Sequence, residues 1–285
     1  MLTRLRTYAS FVRFSHSVFA LPFALVGALL ASRVVDWEWS RLLWIVACMV
    51  TARSAAMGFN RLVDAEFDAR NPRTASRELP QGRMSPVEAR VFVVASSAAF
   101  VACTWPLGPV CFWLSPVALA IAFWYSLAKR FTAYTQLFLG LAMAVAPVGG
   151  WLAAGGRGGW EPWLLGLAIG TWVGGFDVLY ACQDVDVDRR EGLQSIPVRF
   201  GIDRSLLISR VMHVVAVAGL ATLGLAGDLG SIYALGVAGV AVLLVYEQSL
   251  VRADDLSRVK FAFDLNGWVG LLFLATTVAD LYWLT

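Results

Sequence analysis

Two short stretches carry most of the side chains in this sequence that could do chemistry. The first is Asn60-Arg-Leu-Val-Asp64-Ala-Glu-Phe-Asp68 and the second is Asp184-Val-Asp186-Val-Asp188. Residues four apart on a helix drift by only about 40° and rise by about 6 Å, so Asn60, Asp64 and Asp68 predict a single oxygen-rich stripe. Like charges at that spacing cost helix stability, and a divalent cation on the stripe would relieve them. Carboxylates and an amide oxygen without a thiolate favour Mg²⁺ or Mn²⁺ over zinc. The same stripe would also serve simply to solvate the end of an apolar helix.

The second stretch shifts that balance. Asp184 and Asp188 repeat the four-residue spacing, whereas Asp186 falls about 200° round the helix from Asp184 and reads as solvated. Mg²⁺ takes one or two protein carboxylates and completes its shell with water and substrate phosphate. Two acidic clusters facing each other therefore suggest a diphosphate bridged to the protein through metal.

Cations accompany the acids. Arg73 and Arg77 lie in the segment 71–80, and Lys129 and Arg130 close Tyr125-Ser-Leu-Ala-Lys-Arg. Such groups could hold a diphosphate and stabilise it as it leaves, although basic residues also collect in loops of this kind for topological reasons. Arg53 precedes Asn60 by seven residues, two turns deeper on nearly the same face. An arginine inside an apolar span is costly and marks a functional candidate. A bidentate grip on an acceptor carboxylate would suit it, with a structural ion pair as the competing account.

The elements that must position these residues are helices. The chain has 285 residues, of which 59% are hydrophobic and 15% charged, and its mean hydropathy is +0.67. Crossing a bilayer takes roughly 20 apolar residues as a helix, and the long apolar stretches lack strand-like alternation. Nine segments qualify: 14–35, 41–59, 86–107, 109–127, 132–154, 161–181, 205–226, 229–251 and 261–284. The first runs on without a small-residue cleavage site and reads as a retained span.

Of the 23 basic residues, all but Arg33, Arg41, Arg53 and Arg157 fall in or beside loops on the N-terminal side of a nine-span chain. The positive-inside rule then places the N-terminus and both acidic stretches in the cytoplasm and the C-terminus opposite. The net charge of +3 by itself says little. Cys48, Cys103, Cys111 and Cys182 show no metal-ligand spacing and read as packing residues, and His16 and His213 as structural. Both motif loops, 60–85 and 182–204, follow even-numbered spans, so a single domain of two similar halves is one expectation. Pro147-Val-Gly-Gly150 and Gly166, Gly170 and Gly174 suggest bent or closely packed helices.

Taken together, these residues resemble the UbiA superfamily of intramembrane aromatic prenyltransferases, whose pattern is NxxxDxxxD after span two and DxxxD after span six. Asn60, Asp64, Asp68, Asp184 and Asp188 match it, and the likeness extends to Arg53, the Arg73/Arg77 loop, Tyr125 to Arg130, and Tyr180. The text from Phe14 to Ala24 and from Ala52 to Arg61 looks like the 4-hydroxybenzoate polyprenyltransferase branch, some members of which are assigned to menaquinone synthesis by the futalosine route. Glu78 departs from the family, since many relatives have proline there, and could alter the loop's rigidity.

The resemblance implies an all-α bundle around a central cavity with cytoplasmic cap loops, embedded in the inner membrane. It implies two Mg²⁺ ions on Asn60, Asp64, Asp68, Asp184 and Asp188, diphosphate contact by Arg73, Arg77, Lys129 and Arg130, and acceptor binding by Arg53, Tyr125 and Tyr180. Asp64, Lys129 and Asp184 are the expected catalytic groups, with Asp64 the candidate for removal of the ring proton. The substrates would be a prenyl diphosphate and an aromatic acid, in quinone biosynthesis. No nucleic acid and no obligate protein partner is expected. A transporter is the rival from another class, but it would place acids near the bilayer midplane rather than at helix ends. A CDP-alcohol phosphotransferase lacks its signature here, and a haem or chlorophyllide prenyltransferase would share the metal motifs.

Overall fold

The computed structural model describes residues 2–12, 20–36 and 38–283. His16 and the start of the first span lie outside them. The chain is a bundle of thirteen described α-helices with no β-strand among the described residues: α1 (Leu2–Phe11), α2 (Leu21–Ala31), α3 (Ser40–Val63), α4 (Ala65–Arg70), α5 (Pro86–Thr104), α6 (Pro109–Ala128), α7 (Thr135–Ala153), α8 (Glu161–Ala181), α9 (Val185–Arg190), α10 (Ile196–Phe200), α11 (Ile202–Ala226), α12 (Ser231–Leu250) and α13 (Val259–Trp283).

By length and composition, eight of these are able to cross a bilayer: α3, α5 with its following 3₁₀ turn, α6, α7, α8 continuing to Arg190, α11, α12 and α13. The described part of the first expected span is the shorter apolar helix α2. The expected ends agree with the helices to within a few residues. Several helices start where the chain offers a cap or a proline. Ser85 and Glu88 form a reciprocal capping box at α5, and proline occupies the first turn of α2, α5, α6, α8 and α10.

The outer surface is apolar. Leu43, Trp113, Leu235, Val245 and Trp283 are each at least 70% exposed, a surface that a protein in water would not maintain over whole helices but that hydrocarbon requires. Trp39, Trp105, Trp113, Trp160, Trp163 and Trp283 are exposed at the rim opposite the acidic motifs, where amphipathic rings meet the headgroups.

Helix α8 runs through the centre, packed on α7 and α11 and also on α2 and α13. Where α7 crosses α2 and α8, contact is backbone to backbone. A Cβ at Gly27 would strike the Pro147 carbonyl oxygen, one at Gly150 the Ala24 carbonyl oxygen, and one at Gly140 the Gly170 carbonyl oxygen. In the middle of the bundle Phe23 meets Trp172 edge-on, with centroids 4.9 Å apart. Trp172 Nε1 donates to Asn266 Oδ1 at 2.8 Å, and Asn266 Nδ2 to Glu247 Oε1 at 3.1 Å, so one polar chain joins α8, α13 and α12. His213 is buried with its Nδ1 3.0 Å from Gln248 Nε2, and all four cysteines are free.

Candidate active site

Both acidic motifs sit where a long helix breaks and a six-residue helix begins. Asp64, between α3 and α4, has φ −96° and ψ 2°, and Asp184, between the 3₁₀ turn after α8 and α9, has φ −100° and ψ 1°. This is the sparsely allowed bridge region of the backbone. The uninterrupted stripe expected from spacing is thus two helices meeting at Asp64. The spacing survives the break because Asp64 N–H donates to the Asn60 carbonyl at 3.0 Å and Asp68 N–H to the Asp64 carbonyl at 2.8 Å.

Each of three motif carboxylates is gripped by cations of the chain. Lys129 Nζ lies 2.7 Å from Asp64 Oδ2, and Arg130 Nη2 3.0 Å from Asp64 Oδ1. Arg77 Nη1 donates to both oxygens of Asp68, at 2.8 and 2.7 Å. Arg73 forks onto Asp184 through Nε at 3.1 Å and Nη2 at 2.6 Å. Asp64 and Asp68 are 4% and 7% exposed, so each charge is removed from water and needs this compensation. Asn60 Nδ2 approaches Asp64 Oδ2 at 3.4 Å, and Asp188 lies near Lys129 and Ser195. Asp186 is exposed.

These residues line one cavity of about 1000 Å³. Its mouth is formed by Asn60, Asp64, Asp68, Arg73, Arg77, Lys129, Asp184 and Asp188, and its depth by Arg53, Tyr125 and apolar side chains from α3, α6 and α7. Arg130 stands apart: it does not line the cavity but sits behind Asp64, donating to the Val63 carbonyl at 2.7 Å and the Ser126 carbonyl at 3.0 Å. Tyr180 accepts from Arg73 Nη1 at 3.0 Å, with the guanidinium 5.2 Å above its ring. Burial opposes the charge on Arg73, but the hydrogen bond and charge of Asp184, with Tyr180 and Asp68, outweigh it and hold the guanidinium above its ordinary pKa.

Several contributors escape a reading by motif. Asn71 Nδ2 donates to Asp184 Oδ1 at 3.2 Å, and Arg70 pairs with Glu191 at 2.8 Å, so the first cap loop is tied to the second at two points besides the Arg73–Asp184 fork. Gln194 N–H donates to the Lys129 carbonyl at 2.8 Å, tying the second cap loop to the end of α6. Spacing alone does not signal these contacts, because their partners are more than 60 residues apart.

Glu78 has specific partners. Its Oε2 accepts from Arg61 Nη1 at 2.8 Å with both side chains almost fully buried, and its Oε1 accepts from Ser10 Oγ at 2.5 Å. Arg61 and Glu78 are neighbours in sequence of Asn60 and Arg77, so the pair anchors the cap loop to α3 and α1. Removing one member of a buried pair typically costs 3–5 kcal/mol. Glu78→Ala is therefore expected to lower the thermal midpoint of the detergent-solubilised protein by several degrees, with Glu78→Asp closer to the parent. An unchanged midpoint in Glu78→Ala would show that the loop is held by other contacts.

The donor set suits a hard divalent cation. It is all oxygen, and among the described residues no three His, Cys, Asp or Glu side chains gather as an all-protein cage. An all-oxygen donor set suits an ion that shares its shell with phosphate and water.

The fold and cavity define a polytopic membrane protein with a pocket that is charged at one face and apolar in depth. The family model for the UbiA prenyltransferase family matches residues 20–276, and the chain belongs to that family as a membrane prenyltransferase. It is 32% identical over 238 residues to the 4-hydroxybenzoate octaprenyltransferase of Vibrio campbellii, covering 83% of each chain. A UbiA homologue from Aeropyrum pernix superposes with a TM-score of 0.86 at 36% identity, covering 93% of this chain and 98% of that one. A UbiA homologue from Archaeoglobus fulgidus, bound to GPP and Mg²⁺, superposes with a TM-score of 0.74 at 19% identity, covering 96% and 99%.

Proposed function

We propose that the protein transfers a polyprenyl group from its diphosphate to a ring carbon of 4-hydroxybenzoate or a close aromatic acid, at the cytoplasmic face of the cell membrane. The observation that carries this reading is the single cavity in which carboxylates and cations crowd the mouth while Arg53 lies deep among apolar walls. The named relative acts on 4-hydroxybenzoate, and a carboxylate grip by Arg53 is the recognition that such an acceptor needs.

Asn60, Asp64, Asp68, Asp184 and Asp188 would hold Mg²⁺, which when bound neutralises charge on the diphosphate. The chain's own part is an exchange of partners. Arg73, Arg77 and Lys129 rest on Asp184, Asp68 and Asp64. With another counter-charge on those carboxylates, the three cations would be free to donate to the departing diphosphate, where negative charge grows as the bond breaks. Arg130 stays with Asp64 and the end of α3. Tyr180 keeps Arg73 oriented, and the cap-loop ties exclude water that would quench an allylic cation. The matching breaks at Asp64 and Asp184 support two halves descended from one motif. The basic loops on the motif face support a cytoplasmic N-terminus and an opposite C-terminus.

The test is radiolabelled prenyl diphosphate in membranes, with and without Mg²⁺, against a panel of aromatic acids. Metal-dependent prenylation of a hydroxybenzoate is expected, and its absence across chain lengths from geranyl to octaprenyl would refute the reading. Loss of a charged hydrogen bond is worth about 1.5–3 kcal/mol, so Arg53→Ala should raise the acceptor KM about tenfold or more with the diphosphate KM little changed. An unmoved acceptor KM would exclude Arg53 from acceptor binding.

A further inference from the structure

Asp177 is the one acid lining the depth of the cavity to which no role has been given. It lies on α8, seven residues before Asp184 and so two turns deeper on nearly the same face. Unlike Asp64, Asp68 and Asp184, it is in no hydrogen bond or ion pair with another described side chain; the charges it feels, from Asp184, Arg73 and Asp188, act from farther off. Its carboxylate therefore faces the cavity uncommitted. Tyr125, Arg53, Asp177 and Asp64 all line this cavity, and the charges of the other three reach the Tyr125 hydroxyl.

The level of Asp177 is informative. Lys129 pairs with Asp64 and its charge also reaches Asp188, four residues past the second break, so the breaks at Asp64 and Asp184 stand at the same face of the bundle. Arg53 is eleven residues below Asp64, and Asp177 is seven below Asp184. At the helical rise the two differ by about 6 Å, close to the span of one ring with substituents at opposite ends. With the acceptor carboxylate on Arg53, a para-hydroxyl would reach the level of Asp177, on the side facing the diphosphate.

We propose that Asp177 is the base that accepts the proton of the acceptor's ring hydroxyl; this rests on the reading above. The hydroxyl O–H breaks and an Asp177 O–H forms, leaving a phenolate whose electrons activate the adjacent ring carbon. That carbon bonds to C1 of the prenyl chain as the C1–O bond breaks, and the electron pair leaves with the diphosphate. The hydrogen on the attacked carbon then departs as a proton to the diphosphate, and the phenolate recovers its proton from Asp177. Asp64 is poorly placed for this work, since both its oxygens are held by cations.

The experiment compares 4-hydroxybenzoate with 3-fluoro-4-hydroxybenzoate, whose hydroxyl is more acidic, in the full-length parent, Asp177→Asn and Asp177→Glu. The parent is assayed first, and its failure to prenylate either acceptor would overturn both this assignment and the reading beneath it. With an active parent, Asp177→Asn should lower kcat on 4-hydroxybenzoate about 100-fold with the diphosphate KM within about twofold. The ratio of fluorinated to plain kcat should rise at least about tenfold relative to the parent, because a more acidic hydroxyl needs the base less. Equal losses on both acceptors, or a diphosphate KM that moves as much as kcat, would overturn the assignment. If the Asn variant does not accumulate, Asp177→Glu is decided by the same ratio: a rise supports the base, and an unchanged ratio with lowered kcat refutes it.

Discussion

Asp64→Asn and Asp184→Asn should each lower turnover about 10²–10³-fold, the scale set by losing a preorganised electrostatic group at the reacting centre. The expectation follows from geometry at two levels. Each aspartate stands at a helix break on the rim of the cavity, and each orients a cation that the departing diphosphate requires: Lys129 at Asp64, Arg73 at Asp184. The asparagine variants are more telling than alanine because the amide retains the volume and one acceptor oxygen. Alanine at the buried position 64 would leave two cations facing a void, and a loss of fold would then mimic a loss of chemistry. The check is product formation from labelled prenyl diphosphate alongside the thermal midpoint of each variant. Near-parent turnover in both folded variants would take these aspartates out of the mechanism.

Gly150→Ala should abolish folded, monodisperse protein, whereas Gly149→Ala, one residue away, should be tolerated. A methyl group at Gly150 meets the Ala24 carbonyl oxygen, and backbone cannot rotate aside as a flexible side chain can; at Gly149 nothing lies within 4 Å. Helices α2 and α7 would have to separate, and Gly27 against the Pro147 carbonyl makes the same demand from the other side. Overpacking a filled core typically costs 1–3 kcal/mol, and here the loss spreads along a crossing whose attraction depends on close approach, since apolar association gains little in lipid. Yield and gel-filtration profile in detergent are the measurements. Equal yields for the two alanine variants would contradict the close crossing.

The sequence alone determined the membrane architecture and the residues of the rim. Apolar length and loop charge are local quantities, so α8 is expected over 161–181 and found over Glu161–Ala181, and four-residue spacing brings Asn60, Asp64 and Asp68 to one side whatever they pack against. Which cation serves which acid was decided only by the tertiary structure. Arg73 serves Asp184 across 111 residues, and Arg130, grouped by sequence with the diphosphate ligands, stays behind Asp64 outside the cavity. Glu78 looked like a change in loop stiffness until Arg61 and Ser10 closed on it. Asp177 is indistinguishable in sequence from any acid near a helix end, and only the cavity wall makes it a neighbour of Tyr125. The reason is physical: helix periodicity propagates along a few turns of chain, whereas ion pairing and cavity lining depend on how separate helices are rotated and set in height against one another.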